Sequence, residues 1–175
     1  MLSTVWAWSP YGRWIATASS DCTARCGMPP PGTELAVLRG HANLGCGVAC
    51  SPNGRRIAAA SDDHTARVWD AATGAELAVL RGHEGAVRGA AWAPDGERIA
   101  TASHDRTARV WDARTGTELG LLCVHEDWVE AVAWSPGGDW ICESLGCGLG
   151  GSLPGFDVRH LGMTQNGSGA RGLPW

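Results

Sequence analysis

Lysine is missing from this 175-residue chain, and all fourteen basic residues are arginine. Phenylalanine and tyrosine occur once each, beside 25 glycines and ten tryptophans. Lysine, Phe and Tyr share AT-rich codons, so the bias points to a GC-rich, bacterial gene. The arginines form no cluster and the net charge is −4, which leaves no electrostatic footprint for phosphate backbones or anionic lipid. Neither nucleic acid nor a membrane is an expected partner. No stretch reaches the ~18 consecutive apolar residues of a membrane helix, and the first twenty residues hold no basic leader followed by an apolar run. A cytoplasmic chain is the expectation. A GxxxxGK loop for nucleotide phosphates is also absent.

Self-similarity is what the chain has in abundance. A shift of 42 residues brings Trp8, Trp92 and Trp134 into one column with Cys50, and Ile15, Ile57, Ile99 and Ile141 into another. The segments SDDHTARVWDAATGAELAVLRGH (61–83) and SHDRTARVWDARTGTELGLLCVH (103–125) agree at most positions. Within a unit, short runs rich in Val, Ile, Ala, Thr and Trp are divided by turns containing Pro, Gly and Asp, which predicts four strands per unit. In the third copy these fall near 86–93, 98–103, 107–112 and 118–123. Apolar spacing of three and four residues never persists long enough for a helix, so the chain reads as all-β. A lone four-stranded sheet cannot bury both faces, and such units stack face to face, commonly in a ring. An ordinary β-sandwich would give no reason for a strict period.

Gly40-His41 and Gly82-His83 are each followed, 28 residues after the His, by Trp69-Asp70 and Trp111-Asp112. With the period and the SPNG and APDG turns, these dipeptides make the chain resemble the WD-repeat β-propeller family over residues 1 to about 141. The resemblance implies a hydrogen-bonded chain of His, Ser or Thr, Asp and Trp inside each blade. By position these are His41, Ser61, Asp63 and Trp69, then His83, Ser103, Asp105 and Trp111. Buried polar groups cost little only when their partners are present. Ser, His and Asp together also suggest a nucleophilic triad, but a set that recurs in tandem copies is structural, so no catalytic residue and no cofactor is expected. Cys22, Cys26, Cys46 and Cys50 suggest zinc by spacing alone. The repeat aligns them with residues of other types on separate strands and turns, and no metal is expected.

Function then falls to the rim and ends of the blades, where the resemblance implies binding of peptides and proteins. Candidate partner contacts are Asp62, Glu84, Arg88, His104, Glu126, Asp127, Trp128 and Glu130. Trp128 replaces Ala86 of the preceding copy, and it is either an interface anchor or a residue packed on the neighbouring blade.

Two stretches break the pattern. CGMPPPG (26–32) stands where 68–74 reads VWDAATG. Removing one leading G from a GC-rich coding of VWDAATG yields Cys-Gly-Met-Pro-Pro-Pro-Gly, and one added base restores the frame at Thr33-Glu34, so a compensated pair of frameshifts accounts for it. Prolines cannot donate ladder hydrogen bonds, which predicts a frayed third strand in the first blade. The repeat then stops at Cys142, as an unrepaired frameshift would make it. The expected fold is a partial, open β-propeller over 1–145, with four-stranded antiparallel blades at about 1–40, 41–82 and 83–124, a half blade at 125–145, and an irregular tail over 146–175. Exposed faces at the ends of these three and a half blades favour pairing of two copies into one ring. The expected function is a non-catalytic protein-interaction scaffold, the sensory or regulatory part of a larger signalling protein. The alternative is a truncated or frameshifted gene remnant without selected function.

Overall fold

Turns set the architecture. In the computed structural model, which describes residues 5–19, 21–28, 34–43, 45–124, 126–145 and 156–160, every unit reverses its chain first at a Pro-x-Gly turn. The glycines of these turns, Gly12, Gly54, Gly96 and Gly138, all hold a left-handed φ between 63° and 75°. The next reversal places Cys22, His64 and Arg106 at φ of 65°, 67° and 70°, one non-glycine residue per unit in the same left-handed well.

Among the described residues, fifteen strands run in four antiparallel meanders, each with its strands in chain order. The first blade holds β1 (Val5–Trp8), β2 (Ile15–Ala18), β3 (Ala24–Gly27) and β4 (Glu34–Leu38). The second holds β5 (Gly45–Cys50), β6 (Arg56–Ser61), β7 (Thr65–Asp70) and β8 (Glu76–Arg81). The third holds β9 (Val87–Trp92), β10 (Arg98–Ser103), β11 (Thr107–Asp112) and β12 (Glu118–Val124), and the fourth β13 (Val129–Trp134), β14 (Trp140–Leu145) and β15 (Phe156–His160). No helix among the described residues is long and apolar enough to cross a membrane.

Two expectations need correction. The third strand of the first blade is short but not frayed over its described length: β3 pairs with both β2 and β4 through Gly27. The prolines that follow lie outside the described residues. The fourth blade is more than a half, since Phe156–His160, within the stretch expected to be irregular, pairs along β14. One period beyond Asp112 is Pro154, whereas the residue opposite Trp140 is His160, so a longer connection carried this strand out of register. Its backbone pairing occupies the edge that β14 would otherwise leave open.

The core lies between blades. Trp14, Ala16, Ala24, Cys26 and Leu38 of the first blade pack on Ile57, Ala59, Trp69 and Ala71 of the second. Ala58, Ala60, Val68 and Leu80 of the second meet Trp92, Ile99, Trp111 and Ala113 of the third. Ala100 and Val110 meet Ile141, with Trp134 against them. Alternation along each strand therefore sends one set of side chains to the following blade and the other to the preceding one. Alanine dominates because adjoining sheets must approach closely. Trp69 and Trp111, fully buried on the preceding-blade side, are the large residues of each junction, and truncating a buried Trp to Ala costs on the order of 3–5 kcal/mol.

Candidate functional site

The polar set inside each blade is assembled from a turn and a connection. In the third blade the tight turn after β10 presents Asp105, whose Oδ1 accepts from the Thr107 amide and hydroxyl at 3.0 and 2.6 Å. Its Oδ2 meets His83 Nδ1 at 2.8 Å and the Glu84 amide at 3.0 Å. His83 Nε2 then accepts from Thr101 Oγ1 at 2.7 Å, and Thr101 Oγ1 accepts from Trp111 Nε1 at 2.8 Å. The hydroxyl between imidazole and indole is therefore Thr101. Ser103, expected there, instead donates to the Gly85 carbonyl at 3.1 Å and accepts from the Asp105 amide at 3.1 Å. Ser61 repeats this, bonding the Asn43 carbonyl and the Asp63 amide. The second blade keeps the His41 Nδ1 to Asp63 Oδ2 contact at 2.8 Å but has Ala59 in the register of Thr101. There His41 Nε2 lies 3.3 Å from the Ala59 carbonyl, and Trp69 Nε1 donates to the Arg39 carbonyl at 3.3 Å.

Electrostatics follow from this geometry. Burial alone would raise the Asp105 carboxyl, but hydrogen bonds from Thr107, His83 and the Glu84 amide outweigh it and hold the group at about 2. Asp63 is held at about 2 in the same way by Thr65, the Ala42 amide and His41. Burial pushes His83 down against the pull of Asp105. A neutral imidazole with Nδ1–H on the carboxylate and Nε2 accepting from Thr101 satisfies every partner. No oxygen in the set is exposed as a nucleophile: Ser61 and Ser103 are fully buried.

A second network gathers at the end of the blades where the inner strands begin. The β-ladder skips one residue on each of three inner strands: Cys46 on β5, Arg88 on β9 and Glu130 on β13. Each is the extra residue of a bulge, a distortion that turns a side chain out of the sheet's alternation. Arg88 Nη1 reaches Asp62 Oδ1 and Cys46 Sγ, both at 3.1 Å, and Cys46 Sγ–H donates to Asp62 Oδ1 at 2.9 Å. Arg88 Nε lies 3.6 Å from Glu130 Oε2, while Glu130 Oε1 holds His104 Nε2 at 2.9 Å. The His104 ring stacks on Trp128, with centroids 4.5 Å apart and planes 15° from parallel. Trp128 nevertheless remains 53% exposed. Five of the eight candidate contacts thus form one chain across three blades: Asp62, Arg88, Glu130, His104 and Trp128. Glu84 and Glu126 are exposed, and Asp127 accepts from the Trp128 amide at 2.7 Å.

The WD domain, G-beta repeat family model matches residues 3–26, 32–70, 74–112 and 116–151. The chain belongs to the WD40 repeat family. Comparison with curated proteins finds no match. WD40 repeats generally serve as non-catalytic protein-interaction scaffolds, and each of the last three matched segments takes the last strand of one blade with the first strands of the next.

Two members of the WD40 sites were not foreseen. Thr101 carried a faint signal, a polar residue within an alanine-rich strand, RIATAS against RIAAAS. Cys46 reads in the sequence only as a metal candidate, and its partner Arg88 comes from the next blade, which a period within the chain does not reveal. Burial and the hydrogen bond to Asp62 push the Cys46 thiol up to about 11. Burial pushes Cys26 to about 11 and, with Cys26 as neighbour, Cys50 to about 12. Thiols so far from ionisation are poor ligands and poor nucleophiles. No group of three or more His, Cys, Asp or Glu able to hold a metal occurs among the described residues.

Proposed function

We propose that this WD40 array binds a basic segment of a partner protein at the bulged ends of its inner strands, with Trp128 as the anchor. One observation carries the reading: Trp128 is half exposed yet its ring is held in place by His104, which Glu130 orients. A large aromatic surface fixed before binding loses little freedom on contact, and Trp is enriched among residues that dominate interface energy. The surrounding side chains select the charge. Glu126, Asp127 and Glu130 adjoin Trp128 in the chain, while Arg88 is engaged by Asp62 and Glu130. Residence in the cytoplasm and a sensory or regulatory role in a larger signalling protein belong to the same proposal.

Titrating the protein with fluorescent basic and acidic peptides of matched length tests it. Basic peptides are expected to bind more tightly, and Trp128→Ala to weaken them about tenfold or more with an unchanged unfolding midpoint. Equal binding of acidic peptides, or indifference to Trp128→Ala, would overturn the reading.

The gene-remnant reading rests on a different observation. Gly27 stands where Trp69 and Trp111 fill the other blades, and it leaves a hollow of about 270 Å³ lined by Ile15, Thr17, Arg25, Cys26, Met28 and Glu34. An insoluble or molten product would favour it. A cooperative melt would favour the scaffold.

A further inference from the structure

The junctions between blades share a pattern that is complete in the last two. The last side chain of an inner strand donates to a carbonyl of the preceding inner strand: Trp92 Nε1 to Ala49 O at 3.2 Å, Trp134 Nε1 to Ala91 O at 3.1 Å and, more loosely, Cys50 Sγ to Ala7 O at 3.9 Å. An arginine of the preceding blade covers the same indole, Arg56 over Trp92 at 4.9 Å and Arg98 over Trp134 at 4.8 Å. Inner strands also close up where there is no side chain. A Cβ on Gly47 would stand 2.9 Å from the Arg88 carbonyl oxygen, and one on Gly89 3.2 Å from that of Glu130.

The indole donor and the carbonyl acceptor of this pattern recur, uncovered, at the two ends of the described array, without the arginine, since Trp140 holds the register of Arg56 and Arg98. At the first blade Trp8, in the register of Trp92 and Trp134, is 47% exposed, and Trp6 beside it is 63% exposed. At the fourth blade Ala133 occupies the register of Ala49 and Ala91, and Ala131 that of Gly47 and Gly89. Both alanines are exposed. Cys142 is half-buried where Ala58 and Ala100 are fully buried. The donor half thus lies at one end and the acceptor half at the other.

The geometry points to a second copy of this chain as the occupant: the fourth blade of one copy docks on the first blade of the other, with the Trp8 indole donating to the Ala133 carbonyl. This repeats the indole-to-carbonyl contact made twice within the chain, Trp92 to Ala49 and Trp134 to Ala91, with the Ala131 methyl requiring a slightly wider approach than Gly47 and Gly89 allow. Two such contacts are related by a twofold axis, so the pair closes. Four blades from each copy give a ring of eight, within the four to eight of closed propellers. The hollow over Gly27 lies on the same uncovered face of the first blade, lined by Ile15, Thr17 and Arg25, and the docked blade seals it.

Sedimentation equilibrium of the full chain tests the assembly, with variants on each face. The expected mass is twice the 18.3 kDa of one chain. Trp8→Ala and Ala131→Arg, both at exposed positions, are each expected to weaken self-association about tenfold or more while keeping the far-ultraviolet β-sheet spectrum. Mixing the two variants restores one intact junction, so the mixture is expected to form a heterodimer that neither variant forms with itself. A monomeric wild type, an open series of growing polymers, or a dimer lost with Trp8→Ala but untouched by Ala131→Arg would overturn the proposal. The last result would mean that two first blades face each other.

Discussion

Thr101 and Ala59 share one register in adjacent blades, and the hydroxyl that separates them decides how imidazole and indole are satisfied. Removing it leaves both groups to longer backbone contacts like those of the second blade, and a weakened pair of buried hydrogen bonds costs about 1–3 kcal/mol. Thr101→Ala is therefore expected to lower unfolding stability by about that amount, whereas Ala59→Thr, which supplies the missing link, is expected to raise it by about 1 kcal/mol. Urea unfolding of both variants checks the pair. Protons act on the same set. Asp63 and Asp105 have folded pKa values of about 2 against an ordinary 3.8, so their stabilisation is complete above about 3.8 and is lost as pH falls through about 2. His83 is held below its ordinary 6.5 by burial, so the unfolded chain takes up that proton first and stability declines as pH drops below about 6.5. Urea midpoints measured from about pH 8 down to about pH 2 should fall in two stages, and Asp105→Asn should shrink the lower one.

The turn between the second and third strands carries a cost that every described copy repeats. Cys22, His64 and Arg106 hold a left-handed φ that a side chain disfavours by roughly 1–2 kcal/mol. Arg106→Gly trades that strain against a looser unfolded chain, and a net gain of about 0.5–1 kcal/mol is expected in thermal or urea unfolding. Elements of this kind were largely legible beforehand. The period and the Pro-x-Gly signals located the strands of the third blade to within a residue or so, because regular turns keep each strand in step. β15 was not legible, since its connection is longer than the period allows and only the unpaired edge of β14 calls for it. The blade sets were readable as columns, but the hydroxyl that serves the third blade lies on a strand whose alternation hides it among alanines.

Across the whole molecule, cores that lie between blades make stability a sum over neighbours. The second and third blades have a partner on both sides and a complete Trp and Asp pair, whereas the first has Gly27 in the Trp register. Amide hydrogen exchange is expected to be slowest in β6, β7, β10 and β11 and faster in β1 to β4, and uniform protection would show a single cooperative unit instead. The network from Asp62 to Trp128 shows where sequence reading stops: every member but Cys46 is a candidate contact in the sequence, but the period gives a place within a blade and not which side chains of successive blades touch. The distribution of indoles has a further consequence, an optical one. Trp69 and Trp111 sit dry, edge-on to imidazoles, while Trp6, Trp8 and Trp128 face solvent. The buried pair emits toward the blue and the exposed three toward the red, so covering the first blade and covering the bulged inner-strand ends each move the emission without any attached dye.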